Sequence, residues 1–331
     1  MAVKQNKSGL QVLFYDIIDL LDQYSLFSPE EVKDEHYIEQ LKIWRSVYRL
    51  KYKEIQVVIP SNDAVLHSFQ IDSSLADWEI AEAIQSEIEN VATKEVNGLR
   101  IACHNSDPDS EDKFISMLAC GIPNVAVQRY VNILEQADLK PARLTVDALE
   151  IFNAFKYFHN QDLNKPITIL YGRNTQTICL ILTQNKYPFV RGFNLEAGDQ
   201  NEAGETAEFA NKGDSIAFHE LTDLDFLTSL RSKSDLACSA APTFLERLLT
   251  EVRKYQRHVQ SCEGFVEMGT VYLTGDLVTE PQIIDMLKQE LKTDVKIWNP
   301  FDVLFDDADA KKTGYRFIAA LGATIREMDA C

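Results

Sequence analysis

No two cysteines stand as Cys-x-x-Cys, although the chain has six, at positions 103, 120, 179, 238, 262 and 331. Zinc sites and secreted disulfide scaffolds depend on closely spaced thiols, so neither is expected; cysteines inside apolar runs such as ICLIL read as reduced core residues of a cytoplasmic protein. Long apolar runs are also missing. No stretch reaches the roughly 18 uncharged apolar residues of a membrane span. LQVLFYDIIDLL is interrupted by aspartates, and the basic start MAVKQNKSG has no apolar core behind it, which predicts neither a signal peptide nor a spanning helix. Positive charge is scarce as well: 33 Lys and Arg stand against 51 Asp and Glu, for a formal charge of -18. With no local basic patch, that balance excludes direct binding to nucleic acid or anionic lipid and suits a basic or polar protein partner.

Catalytic signatures are equally thin. There is no Gly-x-Ser-x-Gly elbow, and His219 and His258 have no serine or cysteine nucleophile at a recognisable spacing. Neighbouring residues of a strand point to opposite faces, so Cys103 and His104 cannot chelate as a pair. His67 and His104 are therefore expected to be structural, and no metal site is expected.

What is present is an ordinary globular composition, 45% apolar and 25% charged over 331 residues, enough for two domains. Residues 9 to 24 alternate weakly and suit either a strand pair or a helix, with strands preferred. Ser28-Pro-Glu-Glu opens a helix through about Val47, which feeds the strand EIQVVIP. From 54 to 147 the pattern reads strand, strand, helix, strand, strand, helix, strand, a compact α+β unit. Its first helix carries Trp78, Ala81, Ile84, Ile88 and Val91 on one face. ITILYGRNTQTICLILTQNKYPFVRGFNL is a three-strand meander with turns at 172–174 and 185–186. Residues 196 to 225 hold nine acids against the single Lys212 and read as an insertion. A long helix, about 242 to 259, points Phe244, Leu248, Val252, Tyr255 and Val259 inward. Strand, helix, strand, turn and a last helix at 316–327 follow, implying a mainly parallel sheet in this half.

ADLKPARLTVDALEIFNAF, the meander ending in FVRGF, LLTEVRKYQRH, VYLTGD, WNPFD and FIAALGATIR occur in an order and spacing that resembles the actin-like type IV pilus assembly family PilM. That family is related in fold to FtsA and to the cytoplasmic domain of GspL. The resemblance covers about 54 to 331 and is strongest after Val125. It implies an α/β, actin-like (ribonuclease H-like) two-domain fold with an inserted α+β subdomain. The first domain would take 1–55 with returning segments at about 148–160 and 312–331; the subdomain, 56–147. The second domain would take 161–200 and 264–311, with the acidic insertion and long helix at 201–263.

The function so implied is a non-catalytic cytoplasmic scaffold of a type IV pilus, competence or type II secretion assembly, peripheral to the inner membrane. It would bind the N-terminal cytoplasmic segment of a PilN-like membrane protein and connect to a pilus motor ATPase. The partner groove implied by the resemblance lies between the first domain and the insertion. Val57, Ile59 and Pro60 line it, with Trp78, Ala81 and Ile84 from the helix; a buried core tryptophan is the equal alternative for Trp78.

Actin-like nucleotide binding needs glycine turns that bring backbone N–H groups onto phosphates, and aspartates that orient the metal. Aligned on the second phosphate turn, ILYGRNTQT keeps Gly172 and a threonine at Thr175 or Thr177, with Asn174 in the turn. Leu170 stands at the aspartate position, and Arg173 replaces a small residue. In the adenosine motif Thr274 and Gly275 match, but Asp276 takes the second glycine position. Gly9 in the first dozen residues lacks a preceding aspartate. Glu251 matches an acidic position of the long helix, where a surface ion pair is the plain alternative. With all three elements degraded, no cofactor is expected, neither ATP nor magnesium. Two alternatives remain: a nucleotide-dependent switch using Arg173 and the threonine hydroxyls, and a sugar- or acetate-kinase-like enzyme, which would need a catalytic aspartate in the cleft.

Overall fold

A computed structural model describes residues 1–6, 9–16, 34–50, 54–91, 98–105, 113–173, 176–182, 188–194, 244–263, 269–279 and 281–325. The acidic stretch at 196–225, the expected helix starts at Ser28 and Pro242, and the turn at 185–186 fall outside these residues.

The chain opens with a hairpin, β1 (Ala2–Asn6) and β2 (Gly9–Phe14), in which Asn6 pairs with Gly9. No aspartate stands between Met1 and Phe14. Helix α1 (Asp34–Val47) follows, with acids in its first turn and Arg45 in its last, matching the helix dipole. Next come β3 (Glu54–Ile59), β4 (Val65–Asp72), α2 (Asp77–Val91), β5 (Leu99–Asn105), β6 (Phe114–Pro123), α3 (Asn124–Gln136) and β7 (Lys140–Val146). This is the element order that the sequence pattern predicts. The pairing divides it differently, however. β4, β6 and β5 form one antiparallel sheet, whereas β3 and β7 pair with each other in parallel. The three-stranded sheet with its helix therefore spans 65–123, inside the expected 56–147.

Helix α4 (Asp147–His159) leads into β8 (Ile167–Arg173), β9 (Gln176–Leu182) and β10 (Phe189–Asn194), the expected meander. Beyond the acidic stretch come α5 (Phe244–Glu263), β11 (Thr270–Gly275), α6 (Pro281–Leu291), β12 (Val295–Ile297), α7 (Phe301–Leu304), α8 (Ala308–Thr313) and α9 (Ile318–Thr324). The second sheet has the order β10-β9-β8-β11-β12, antiparallel on the meander side and parallel on the other. It is a mixed sheet rather than a mainly parallel one, because only β11 and β12 arrive through helical crossovers.

The sheet buries both faces. On one, Leu248, Val252, Tyr255 and Val259 of α5 repeat at helical spacing and pack with Ile283 and Leu287 of α6. Phe244, expected inward, is exposed at the start of α5. On the other face lies α4, whose Ile151, Ala154 and Phe155 are fully buried among Ile169, Leu180, Tyr272 and Ile318. The same core takes in Ile59 and Val146 from the ends of β3 and β7. One core therefore joins the two halves of the chain, with α4 as its spine. Burying a side chain such as Phe155 contributes about 1.5–3 kcal/mol. The last helix packs on α4, where Gly322 of α9 lies against the Glu150 carbonyl. The start of the chain joins it, since Tyr15 meets Phe301, Phe305 and Phe317 edge-on.

Candidate functional site

The candidate site is the region where the ends of β8 and β11 come near the ends of β3 and β7, whose Ile59 and Val146 share a core with Tyr171. β8 and β11 run parallel with Gly172 beside Gly275. Gly275 has φ +67, a left-handed backbone that favours glycine, and any Cβ there would run into the Gly172 carbonyl. A Cβ on Gly172 would lie 2.5 Å from Cγ of Leu277 and 3.1 Å from its backbone nitrogen. Leu277, in the 3-10 turn Asp276–Thr279, is 4% exposed. Neither position admits a side chain, so both glycines are required by packing within the chain.

Strand alternation splits the other expected nucleotide residues between two faces. Thr177 pairs with Gly172 and shares the α5 and α6 side with Leu170 and Cys179. Leu170 is fully buried there, so an aspartate at its position would place a charge in an apolar core. Thr274 pairs with Tyr171 and faces the opposite way, toward α4. It is fully buried, and its Oγ1 has no hydrogen-bond partner among the described residues. Asn174 and Thr175 lie outside the described residues. Glu251 is taken up by Arg191 at 3.7 Å and Lys254 at 3.3 Å. Asp276 accepts from Nε of Arg316 at 3.2 Å.

The opposite wall was not singled out by sequence, although its aspartate lies inside the LTVDALE segment. Asp147 begins α4 and is 3% exposed. Its Oδ1 accepts the Ser61 and Ala148 backbone N–H groups, each at 2.8 Å, together with the Ser61 hydroxyl. Burial raises the Asp147 carboxyl above the ordinary range, opposed by those hydrogen bonds and by the Arg173 charge. Arg173 also acts on Tyr171, whose phenol burial pushes up to about 12, and on Tyr130 of α3, raised chiefly by burial. The exposed Arg173 therefore stands near Asp147 of α4 and Tyr130 of α3 as well as its strand neighbour Tyr171. Asp147 is a buried aspartate, one oxygen of which carries three donors that brace β3 against α4.

The expected partner groove is not assembled. Ile59 is fully buried in the large core, and Ile84 is buried in the separate core between α2 and the three-stranded sheet. Val57 and Pro60 are half-buried. Trp78 and Ala81 lie on the outer face of α2, with Trp78 63% exposed. The inward stripe is instead Ile80, Ala83, Ile84 and Ile88, so Trp78 is neither a core residue nor beside Ile59. His67, buried at 5% exposure, bonds to Glu87 of α2 at 3.1 Å, while Cys103 and His104 are exposed on β5.

No protein-family model matches this sequence, and no curated protein does. Among solved structures, the chain is similar to the PilM-PilN type IV pilus biogenesis complex. The TM-score is 0.63 at 15% identity, over 88% of this chain and 84% of that one. A Bacteroides thetaiotaomicron protein with an actin-like ATPase fold and unknown function aligns with TM-score 0.46 and 14% identity, over 96% and 88%. The cytoplasmic domain of EpsL, an inner-membrane component of the Vibrio cholerae type II secretion system, aligns with TM-score 0.36 and 12% identity, over 62% and 84%. The fold of this chain is actin-like.

Proposed function

We propose that this chain is a non-catalytic scaffold of a type IV pilus, competence or type II secretion machinery. It binds the N-terminal cytoplasmic segment of a PilN-like membrane protein and connects that membrane platform to a motor ATPase. Its place is the cytoplasmic side of the inner membrane, reached through the partner. The fold supports this reading, since its similarity to the PilM-PilN complex extends over most of both chains. No helix among the described residues is long and apolar enough to cross a membrane, which suits attachment through a partner.

The observation that carries the reading is the outer face of α2. Trp78 is 63% exposed on a helix that bears Asp77, Glu79, Glu82, Glu87 and Glu89 and no basic residue. Glu79 is held by the Ala76 N–H, Glu87 by His67 and Glu89 by the Gln85 amide. Glu82, one helical turn from Trp78, has no hydrogen bond or ion pair among the described residues, so indole and carboxylate together suit an arginine or lysine. A basic cytoplasmic segment with apolar neighbours fits this face.

The test is binding of a synthetic peptide matching the N-terminal cytoplasmic segment of the membrane partner. Trp78→Ala and Glu82→Lys are each expected to weaken binding about tenfold or more, with unchanged melting temperature. A peptide that binds both variants as well as the parent would remove α2 from the interface. No binding to the parent chain would overturn the scaffold reading.

A further inference from the structure

The outer side of α2 has a periodicity of its own. Trp78, Glu82, Gln85 and Glu89 follow one another at spacings of four, three and four, all exposed, on the side opposite Ile80, Ala83, Ile84 and Ile88. Alternating four and three is the spacing at which one helix packs lengthwise on another, so these side chains make a single seam about three turns long. The backbone beneath the seam is already paired within α2. An extended peptide laid along it would therefore gain no backbone hydrogen bonds, whereas a helical ligand satisfies its own and presents a matching row of side chains. The charge on the seam is also one-sided. α2 carries five acids and no basic residue, and Glu82 and Glu89, two turns apart, are the two that stand in the seam. Glu79 and Glu87 lie to either side, held by the Ala76 N–H and by His67. A second copy of the chain would set the same acids against these, so like charges disfavour α2 packing on its own copy.

We infer that the segment received by this face binds as an amphipathic α-helix laid along α2. An apolar side chain of that helix rests on Trp78, and two arginine or lysine residues seven positions apart face Glu82 and Glu89. This rests on the reading of α2 as the partner face and adds the conformation of the ligand and the spacing of its charges.

The probe is a capped peptide of alanine and leucine with two arginines seven positions apart, titrated into the full chain by calorimetry. It is expected to bind and to gain helical circular dichroism in the complex. Placing the arginines five positions apart sends them to opposite sides of the peptide and is expected to weaken binding about fivefold, the range of one exposed ion pair. A proline at the centre of the peptide is expected to weaken it about a hundredfold. Glu82→Lys should weaken binding as the changed spacing does, and a glutamate in place of the facing arginine should restore it. No binding, equal affinity for the two spacings, or a bound probe without helical signal would overturn the inference. The partner's own segment, if bound by the parent and weakened by Trp78→Ala, would then leave the reading of the face standing. Binding of both the probe and that segment unchanged in Trp78→Ala and Glu82→Lys would overturn the two together.

Discussion

The carboxylate of Asp147 accepts both the backbone N–H and the hydroxyl of Ser61, 86 residues earlier in the chain. Ser61 follows β3 and Asp147 follows β7, so the contact clamps the two strands between which the inserted subdomain leaves and returns. The Ser61 hydroxyl also accepts the Ala148 N–H at 3.1 Å. Ser61→Ala is expected to cost about 1–3 kcal/mol, because it removes a buried bond to a charged acceptor. Urea denaturation of Ser61→Ala, Asp147→Ala and the double variant would measure the coupling. A double variant costing the full sum of the singles would show that the clamp is not a unit.

Gly172→Ala places a methyl group against Leu277 and its backbone nitrogen, and is expected to destabilise the fold by about 1–3 kcal/mol. Leu277→Ala alone leaves a cavity costing about 2–5 kcal/mol. Because each change relieves the other, the pair should cost less than the sum of the two. Strict additivity in chemical denaturation would separate Gly172 from Leu277.

Gly322→Ala drives a Cβ into the Glu150 carbonyl, and backbone cannot turn aside as a side chain can. A loss of about 3 kcal/mol or more is expected, with α9 losing exchange protection first. Gly98 has nothing within 4 Å of its Cβ position. Gly98→Ala should stabilise by about 0.4–1 kcal/mol through the unfolded chain. Equal melting temperatures for the two variants would refute the close approach of α4 and α9.

Burial lowers the proton affinity of His67 below its ordinary value of 6.5, against the opposing pull of Glu87. The unfolded chain then binds more protons than the folded one as pH falls through 6.5. Stability should therefore decline below that pH and level off above it. Melting curves between pH 5 and 8 are expected to flatten in His67→Gln, pH values chosen to bracket the histidine range. An unchanged slope would assign the acid sensitivity to other groups.

Local pattern carried much of the architecture. The β-branched runs around Gly172 and Asn185 marked the meander, and apolar spacing set α5 and the element order from 54 to 147, because strand and helix periods are written in neighbouring residues. Period alone did not choose between overlapping stripes. Trp78-Ala81-Ile84-Ile88 and Ile80-Ala83-Ile84-Ile88 both suit a helix, and only the sheet beneath α2 selects the second. The indole is left outside as a result. The residue types that stand at Leu170 and Asp276 were legible in the sequence, and the structure adds that Leu170 is buried in an apolar core and that Asp276 pairs with Arg316.

Residue identity by itself determined the order of elements from 54 to 147 and placed Leu170 and Gly172 in the β8 run, since both depend on short-range pattern. Only the tertiary structure decided which distant residues meet. Leu277 reaches Gly172 across more than a hundred residues of chain, Arg316 reaches Asp276 from the returning segment, and Asp147 reaches Ser61 across the whole insertion. Such contacts follow from parallel strand register and helix docking, which bring distant residues together without leaving a mark on the residues between them.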